Sequence, residues 1–166
     1  MTRALKTLRR GRLQIWLAAL VFLAAPGAQT AKADSISVDQ ITDLSAKGAR
    51  TMFRFAPELV RIDAGGTIEI RNSVRGHTVH SIPELWPADA PPVAISYRPS
   101  AVVRFTESGL YGLTCKRHGV YGMVMLVLVG DAESPDDLND RIEAAKLSDD
   151  ARQKLKSIAA GGGLLD

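Results

Sequence analysis

At 166 residues the chain has room for one domain and a small extension. It carries 21 Lys and Arg against 18 Asp and Glu, but residues 1–33 hold six of the basic residues and none of the acidic ones, so the remainder has a net charge of −3. Beyond residue 33 there is no basic run and little aromatic interleaving, so nothing in the sequence suggests a nucleic-acid binder.

The first residues read as an export signal. "MTRALKTLRRGRLQ" is basic, "IWLAALVFLAA" is a short apolar run, and "PGAQTAKA" places Ala31 and Ala33 at A-x-A spacing. Residues 1–33 are therefore expected to be a secretory signal peptide that delivers the chain to the periplasm. The apolar run is too short for a membrane span, and no membrane attachment is expected after cleavage. An exported chain with one cysteine makes no internal disulfide. Its thiol is buried, reactive or bound to something.

From Ser35 to Val129 the pattern predicts strands. "SISV" alternates. "TMFRF" sets Phe53 and Phe55 on one face and Met52 on the other. "ELVRI" and "TIEIRN" read as two strands joined by the glycine-bearing turn "DAGG", and "HTVHSI" as a further strand. "PELWPADAPP" holds too much proline for a central strand. "AVVRFTESGLYGLTC" gives two strands around "ESG", and "MVMLVLVG" is a long apolar strand expected inside a sheet. Short strands at regular turns predict an all-β Greek-key β-sandwich. After Gly130 the pattern becomes helical. Ser134 is the expected N-cap and Pro135 the first helical residue of one helix, with Leu138, Ile142 and Ala145 on one face. Ser148 caps a second, which buries Leu155 and Ile158 and stops at "GGG". Both helices are too short to stand alone, so they should pack on the sandwich. The expected organisation is a signal peptide over 1–33, a β-sandwich over 34–130 and a two-helix C-terminal extension over 131–166.

The chemistry concentrates in "LTCKRHGVYGMVMLVLVG", where Cys115, His118 and Met123 follow one another closely. A core cysteine or a solvated loop histidine is ordinary taken singly; their coincidence with Met123 is not. A thiolate, two imidazoles and a thioether form the soft donor set of a blue-copper centre, whereas zinc seldom takes methionine. Cys-x-x-His supplies two ligands from one turn, and the glycines of "GVYG" let the chain fold back to bring Met123 in. Met125 lies on the same face as Met123 but one pleat deeper, where it fills the core. The second imidazole must come from "RGHTVH", which offers His77 and His80. Three residues apart on a strand, these two point to opposite faces, so only one of them serves a given metal.

"GHTVHSIPELWP" followed by "YGLTCKRHGVYGM" resembles the pseudoazurins, a cupredoxin family, over nearly the whole chain beyond residue 33. The resemblance implies a cupredoxin sandwich with two C-terminal helices and one type 1 copper held by His77, Cys115, His118 and Met123. His80 is then a half-exposed histidine beside the site. The sequence departs from the family pattern in three places. Lys116-Arg117 stands where Thr-Pro is usual, which restores a backbone N–H near the thiolate and favours Cu(I). Thr78 replaces Asn after the first histidine, which bears on the bond between the ligand loops. Gly119 replaces an aromatic residue after the second.

A closed four-ligand copper leaves no position for substrate, which points to a non-enzymatic carrier of single electrons through His118. The resemblance implies redox partners such as a c-type cytochrome and a copper nitrite reductase, met transiently around His118 by a monomer. Gly119 and Val120, with Leu85 and Trp86, would form an apolar contact disc, flanked by Lys116, Arg117 and Arg75. Residues 34–130 hold ten basic and nine acidic groups and residues 131–166 five and nine, so an acidic tail is expected to oppose a basic copper end. A copper-delivery protein would instead show labile metal and weak colour. An additional catalytic copper is disfavoured by a total of three histidines. A metal-free adhesive sandwich leaves the Cys-His-Met cluster unexplained.

Overall fold

A computed structural model describes residues 35–71 and 76–165. The expected signal peptide and the expected charge at Arg75 lie outside those residues. The strands are β1 (Ser35–Thr42), β2 (Phe53–Ala56), β3 (Leu59–Ile62), β4 (Thr67–Arg71), β5 (Thr78–Ser81), β6 (Ala94–Ser96), β7 (Ser100–Arg104), β8 (Gly109–Thr114) and β9 (Val124–Val129). One helical turn, α1 (Ala49–Met52), precedes β2, and α2 (Leu138–Ala144) and α3 (Asp149–Gly161) follow β9. A four-stranded sheet runs β2-β1-β4-β7 and a five-stranded sheet runs β3-β9-β8-β5-β6. The chain changes sheet between β2 and β3, β3 and β4, β4 and β5, β6 and β7, and β7 and β8, so the short turns read from the sequence are corners of a sandwich. No helix among the described residues is long and apolar enough to cross a membrane.

β9 lies inside its sheet, parallel to β3 and antiparallel to β8, and every one of its residues is buried. Its unbroken apolar run follows from having both faces covered. Met125, Val127 and Val129 enter the core between the sheets with Val38, Phe55, Ile68 and Ile70. Val124, Leu126 and Leu128 enter a second core under the helices with Leu138, Ile142, Leu155 and Ile158. The expected apolar faces of both helices are thus the buried ones. Ser148 caps α3 as expected, accepting from the Ala151 N–H at 3.2 Å. Ser134 does not cap α2. That helix begins later, at Leu138, and the Ser134 hydroxyl donates to the Leu164 carbonyl at 2.6 Å, tying the start of the extension to its end. The proline-rich loop carries a single 3₁₀ turn, Pro83–Leu85. The sequence reading missed β6, whose three residues form the outer edge of the larger sheet.

Candidate metal centre

β8 and β9 are an antiparallel pair, and the segment between them, residues 115–123, folds back on itself. The Cys115 N–H donates to the Met123 carbonyl at 3.0 Å, closing the base of the loop. Within it the Gly119 N–H reaches the Cys115 carbonyl at 2.6 Å, and the N–H groups of Tyr121 and Met123 reach the His118 carbonyl at 3.0 and 3.2 Å. Two glycines are required. A Cβ on Gly119 would stand 2.5 Å from Thr114 Oγ1, and Gly122 turns the chain with φ of 88°. A side chain at position 119 would have to displace the Thr114 hydroxyl.

This loop carries Cys115 and His118 to the end of the sandwich where His77 precedes β5. Cys115 Sγ lies 3.9 Å from His77 Nδ1 and 3.6 Å from His118 Nδ1, and the two Nδ1 atoms are 3.0 Å apart. A triangle with those sides has a point about 2 Å from all three atoms, close to the length of a metal–imidazole bond and somewhat short of a metal–thiolate bond of about 2.3 Å. His77, Cys115 and His118 are therefore spaced to share one ion. Met123 is fully buried in the same core as Cys115, at the foot of the loop. Met125 is fully buried too and pairs with Leu113, deeper along the sheet. His80 stays outside the donor group, half-buried on β5 opposite Thr114.

The surroundings favour the metal-binding protonation states. Burial holds His77 below the ordinary histidine pKa, which keeps the imidazole neutral. Burial alone would push the Cys115 thiol up. The backbone N–H groups of Thr78, His118 and Arg117 and the Thr78 hydroxyl outweigh it and leave the thiol below its usual value. Arg117 thus contributes the N–H that a proline would lack. Thr78 keeps the two ligand segments bonded: its hydroxyl accepts from the Lys116 N–H at 2.9 Å, and its oxygen lies 3.9 Å from Cys115 Sγ. A hydroxyl does what the departure from Asn left open.

Sequence reasoning missed two residues of the site. Thr42, the last residue of β1, sets its hydroxyl 2.7 Å from His77 Nε2. Phe53, the first residue of β2, stacks on His118 with ring centroids 3.9 Å apart and an interplanar angle of 11°. Phe53 was legible only as sharing a face with Phe55, and nothing in its neighbourhood pointed to His118.

The expected contact disc is only partly present. Val120 is 53% exposed beside His118, but Gly119 is buried, and the second exposed residue is Tyr121, at 41%, which the sequence reading did not include. Leu85 is 1% exposed, buried in the core under α2, so it does not join them. Trp86 packs edge-on against Tyr111, whose hydroxyl reaches back to Glu107 at the opposite end of β8 from Cys115. The charge expectation also needs correction. Lys116 and Arg117 are exposed, and among the described residues neither pairs with a carboxylate. The acidic start of α3, however, sits at the copper end, because Ser148 donates to the Val120 carbonyl at 3.1 Å. Asp150 is neutralised there by Arg50 at 2.7 Å and Asp149 by Arg152. One flank of the loop is basic and the other is balanced.

Comparisons with known proteins agree with this geometry. The model of the copper binding proteins of the plastocyanin/azurin family matches residues 42–130. A pseudoazurin of Methylorubrum extorquens is 35% identical over 129 residues, covering 78% of this chain and 80% of the relative. One from Paracoccus pantotrophus is 34% identical over 143 residues, covering 86% and 91%. The crystal structure of pseudoazurin from Methylobacterium extorquens AM1 superposes with a TM-score of 0.65 at 30% identity, over 77% of this chain and 98% of that one. A His₂Cys triangle with a buried methionine beside it suits copper better than any harder-liganded metal. The chain belongs to the copper-binding plastocyanin/azurin family and, within it, to the pseudoazurins, type 1 copper cupredoxins of electron transfer.

Proposed function

We propose that the protein is a periplasmic one-electron carrier whose single copper is held by His77, Cys115, His118 and Met123. The observation that carries the assignment is the triangle of Sγ and two Nδ1 atoms around a point about 2 Å from each, built on elements whose backbone is hydrogen-bonded independently of any metal. Copper would supply the exchange between Cu(I) and Cu(II). The residues supply the rest. Cys115 gives the strong thiolate bond, the two imidazoles accept either oxidation state, and a weak Met123 contact keeps the geometry intermediate. Because loop 115–123 is closed by its own backbone bonds, little needs to rearrange when an electron arrives or leaves.

The route in and out is the His118 ring, which is only half-buried and lies beside exposed Val120 and Tyr121. A small apolar contact flanked by Lys116 and Arg117 suits brief docking of an acidic partner. A c-type cytochrome as donor and a copper nitrite reductase as acceptor fit that description. The basic and apolar pattern of the N-terminal segment, read as a signal peptide over 1–33 ahead of a sandwich domain over 34–130 and helices over 131–166, supports a periplasmic location, and the carrier is taken to act as a monomer.

The test is a visible absorption spectrum after Cu(II) is added to the protein and to Cys115→Ser. Wild type should turn intensely blue or green, and the variant should lose the colour entirely. A colourless wild type would sink the electron-carrier reading and leave copper delivery as the better account.

A further inference from the structure

Both imidazoles of the site are held from outside by one structural unit, the β1–α1–β2 turn. Thr42 and Phe53 stand directly opposite each other where β1 pairs with β2, and the pairing is extended by the Asp43 N–H donating to the Met52 carbonyl at 2.8 Å. Each reaches a different ring. The Thr42 hydroxyl oxygen lies 2.7 Å from His77 Nε2 while Nδ1 faces the donor triangle, so with a metal on Nδ1 the hydrogen sits on Nε2 and is donated to Thr42 Oγ1. Phe53 lies flat on His118 and meets His77 edge-on, with centroids 6.1 Å apart and planes at 71°. Behind Phe53 stands Tyr121, 5.9 Å away and inclined by 26°. Two residues before Thr42, on the same face of β1, the Gln40 side-chain amide donates to the Thr78 carbonyl at 2.9 Å, fixing the backbone that follows His77. The turn is itself anchored, since Arg50 of α1 is paired to Asp150 at the start of α3.

We propose that the cross-strand pair Thr42–Phe53 is a clamp that positions both histidines, setting the plane of each ring before metal arrives. A partner on the far nitrogen fixes which nitrogen is left to bind metal and in what direction it points. A stacked ring fixes the remaining freedom, rotation of the imidazole about its bond to Cβ. His118 has two attachments: its own loop, which is legible in the sequence, and Phe53, which arrives from a distant strand. The clamp rests on His77 and His118 being the copper ligands, but it also makes a claim about the metal-free protein.

The experiment compares wild type with Thr42→Val, Thr42→Ser, Phe53→Leu and Phe53→Tyr. Thr42 is exposed and Phe53 half-buried, so the fold should survive, with circular dichroism as the control. In the metal-free protein, NMR of the imidazole nitrogens should show His77 with its proton on Nε2. That preference should be lost in Thr42→Val and kept in Thr42→Ser. In Phe53→Leu the His118 ring signals should shift and sharpen as the ring gains freedom, and Phe53→Tyr should restore them. With copper, release to a chelator should speed up on the order of tenfold in Thr42→Val and in Phe53→Leu, the usual consequence of losing a partner of a metal-binding histidine. The reduction potential should move in the same two variants and return in the conservative ones. Unchanged tautomer, ring dynamics, release rate and potential would overturn the clamp. A colourless wild type sinks the copper assignment separately, and the metal-free spectra still decide whether the two residues hold the rings.

Discussion

β9 divides two cores that differ in what they contain. On its inner face, Met125 and Val127 join a core that also holds Cys115 and Met123. On its outer face, Val124, Leu126 and Leu128 meet Leu138, Ile142, Ala151, Leu155 and Ile158, a purely aliphatic contact. The inner core brings together groups with chemistry, and it orients them by hydrogen bonds and ring contacts with specific angles. The outer core has no orientation to enforce. It covers a sheet face that would otherwise be exposed and presses the start of α3 against the ligand loop. Stability and geometry are therefore supplied from opposite sides of one strand, and variants on the two sides should be separable.

The largest effect on stability is expected from the outer side. Leu155 is fully buried on α3, and Leu155→Ala should cost about 2–5 kcal/mol in chemical denaturation of the metal-free protein. The position of the thiolate-to-copper absorption band should not move. A shifted band would break the comparison, because it would mean that packing beneath the helices reaches the donor triangle.

This division also explains what the sequence did and did not disclose. The helix faces at Leu138, Ile142, Leu155 and Ile158 were legible because burial under one contact imposes a period that a reader can count. The apolar run of β9 was legible as an interior strand for the same reason. Cys115 and His118 were legible because a single turn carries both, so their spacing is their geometry. His77 was not separable from His80 by residue type alone; only the resemblance to a family chose between them. Thr42 and Phe53 could not be found at all. Thr42 meets a histidine 35 positions away in the chain, and contacts of that range depend on which strands become neighbours. The displaced cap of α2 and the burial of Leu85 have a similar cause. In each, a distant partner, Leu164 for Ser134 and the α2 core for Leu85, outweighed a sound local preference.

A smaller effect, on the inner side, is expected from Thr78. Its buried hydroxyl is the acceptor that joins the Lys116 N–H to the segment after His77. Thr78→Ala removes that acceptor and should cost about 1–2 kcal/mol, while Thr78→Ser should cost less because it retains the oxygen. Unlike Leu155→Ala, this change should also move the absorption band, since the Thr78 oxygen stands beside Cys115 Sγ. Denaturation curves and spectra of the same three proteins would sharpen the contrast: a large energy without a spectral change on one side, a modest energy with one on the other.

The smallest effect is expected where the two sides meet. The Ser148 hydroxyl accepts from the Ala151 N–H as the cap of α3, and it donates to the Val120 carbonyl at the tip of the ligand loop. Ser148→Ala abolishes both bonds and should cost about 1 kcal/mol. Ser148→Asp keeps a good cap and adds a negative charge where the helix dipole welcomes one, yet it cannot donate and would set a carboxylate against the Val120 carbonyl. Denaturation of the two variants therefore separates the roles. If capping dominates, Ser148→Asp should match wild type within a few tenths of a kcal/mol. If Ser148→Asp loses as much as Ser148→Ala, the bond to the loop contributes more than the cap does, and α3 holds the ligand loop by a directed contact as well as by packing.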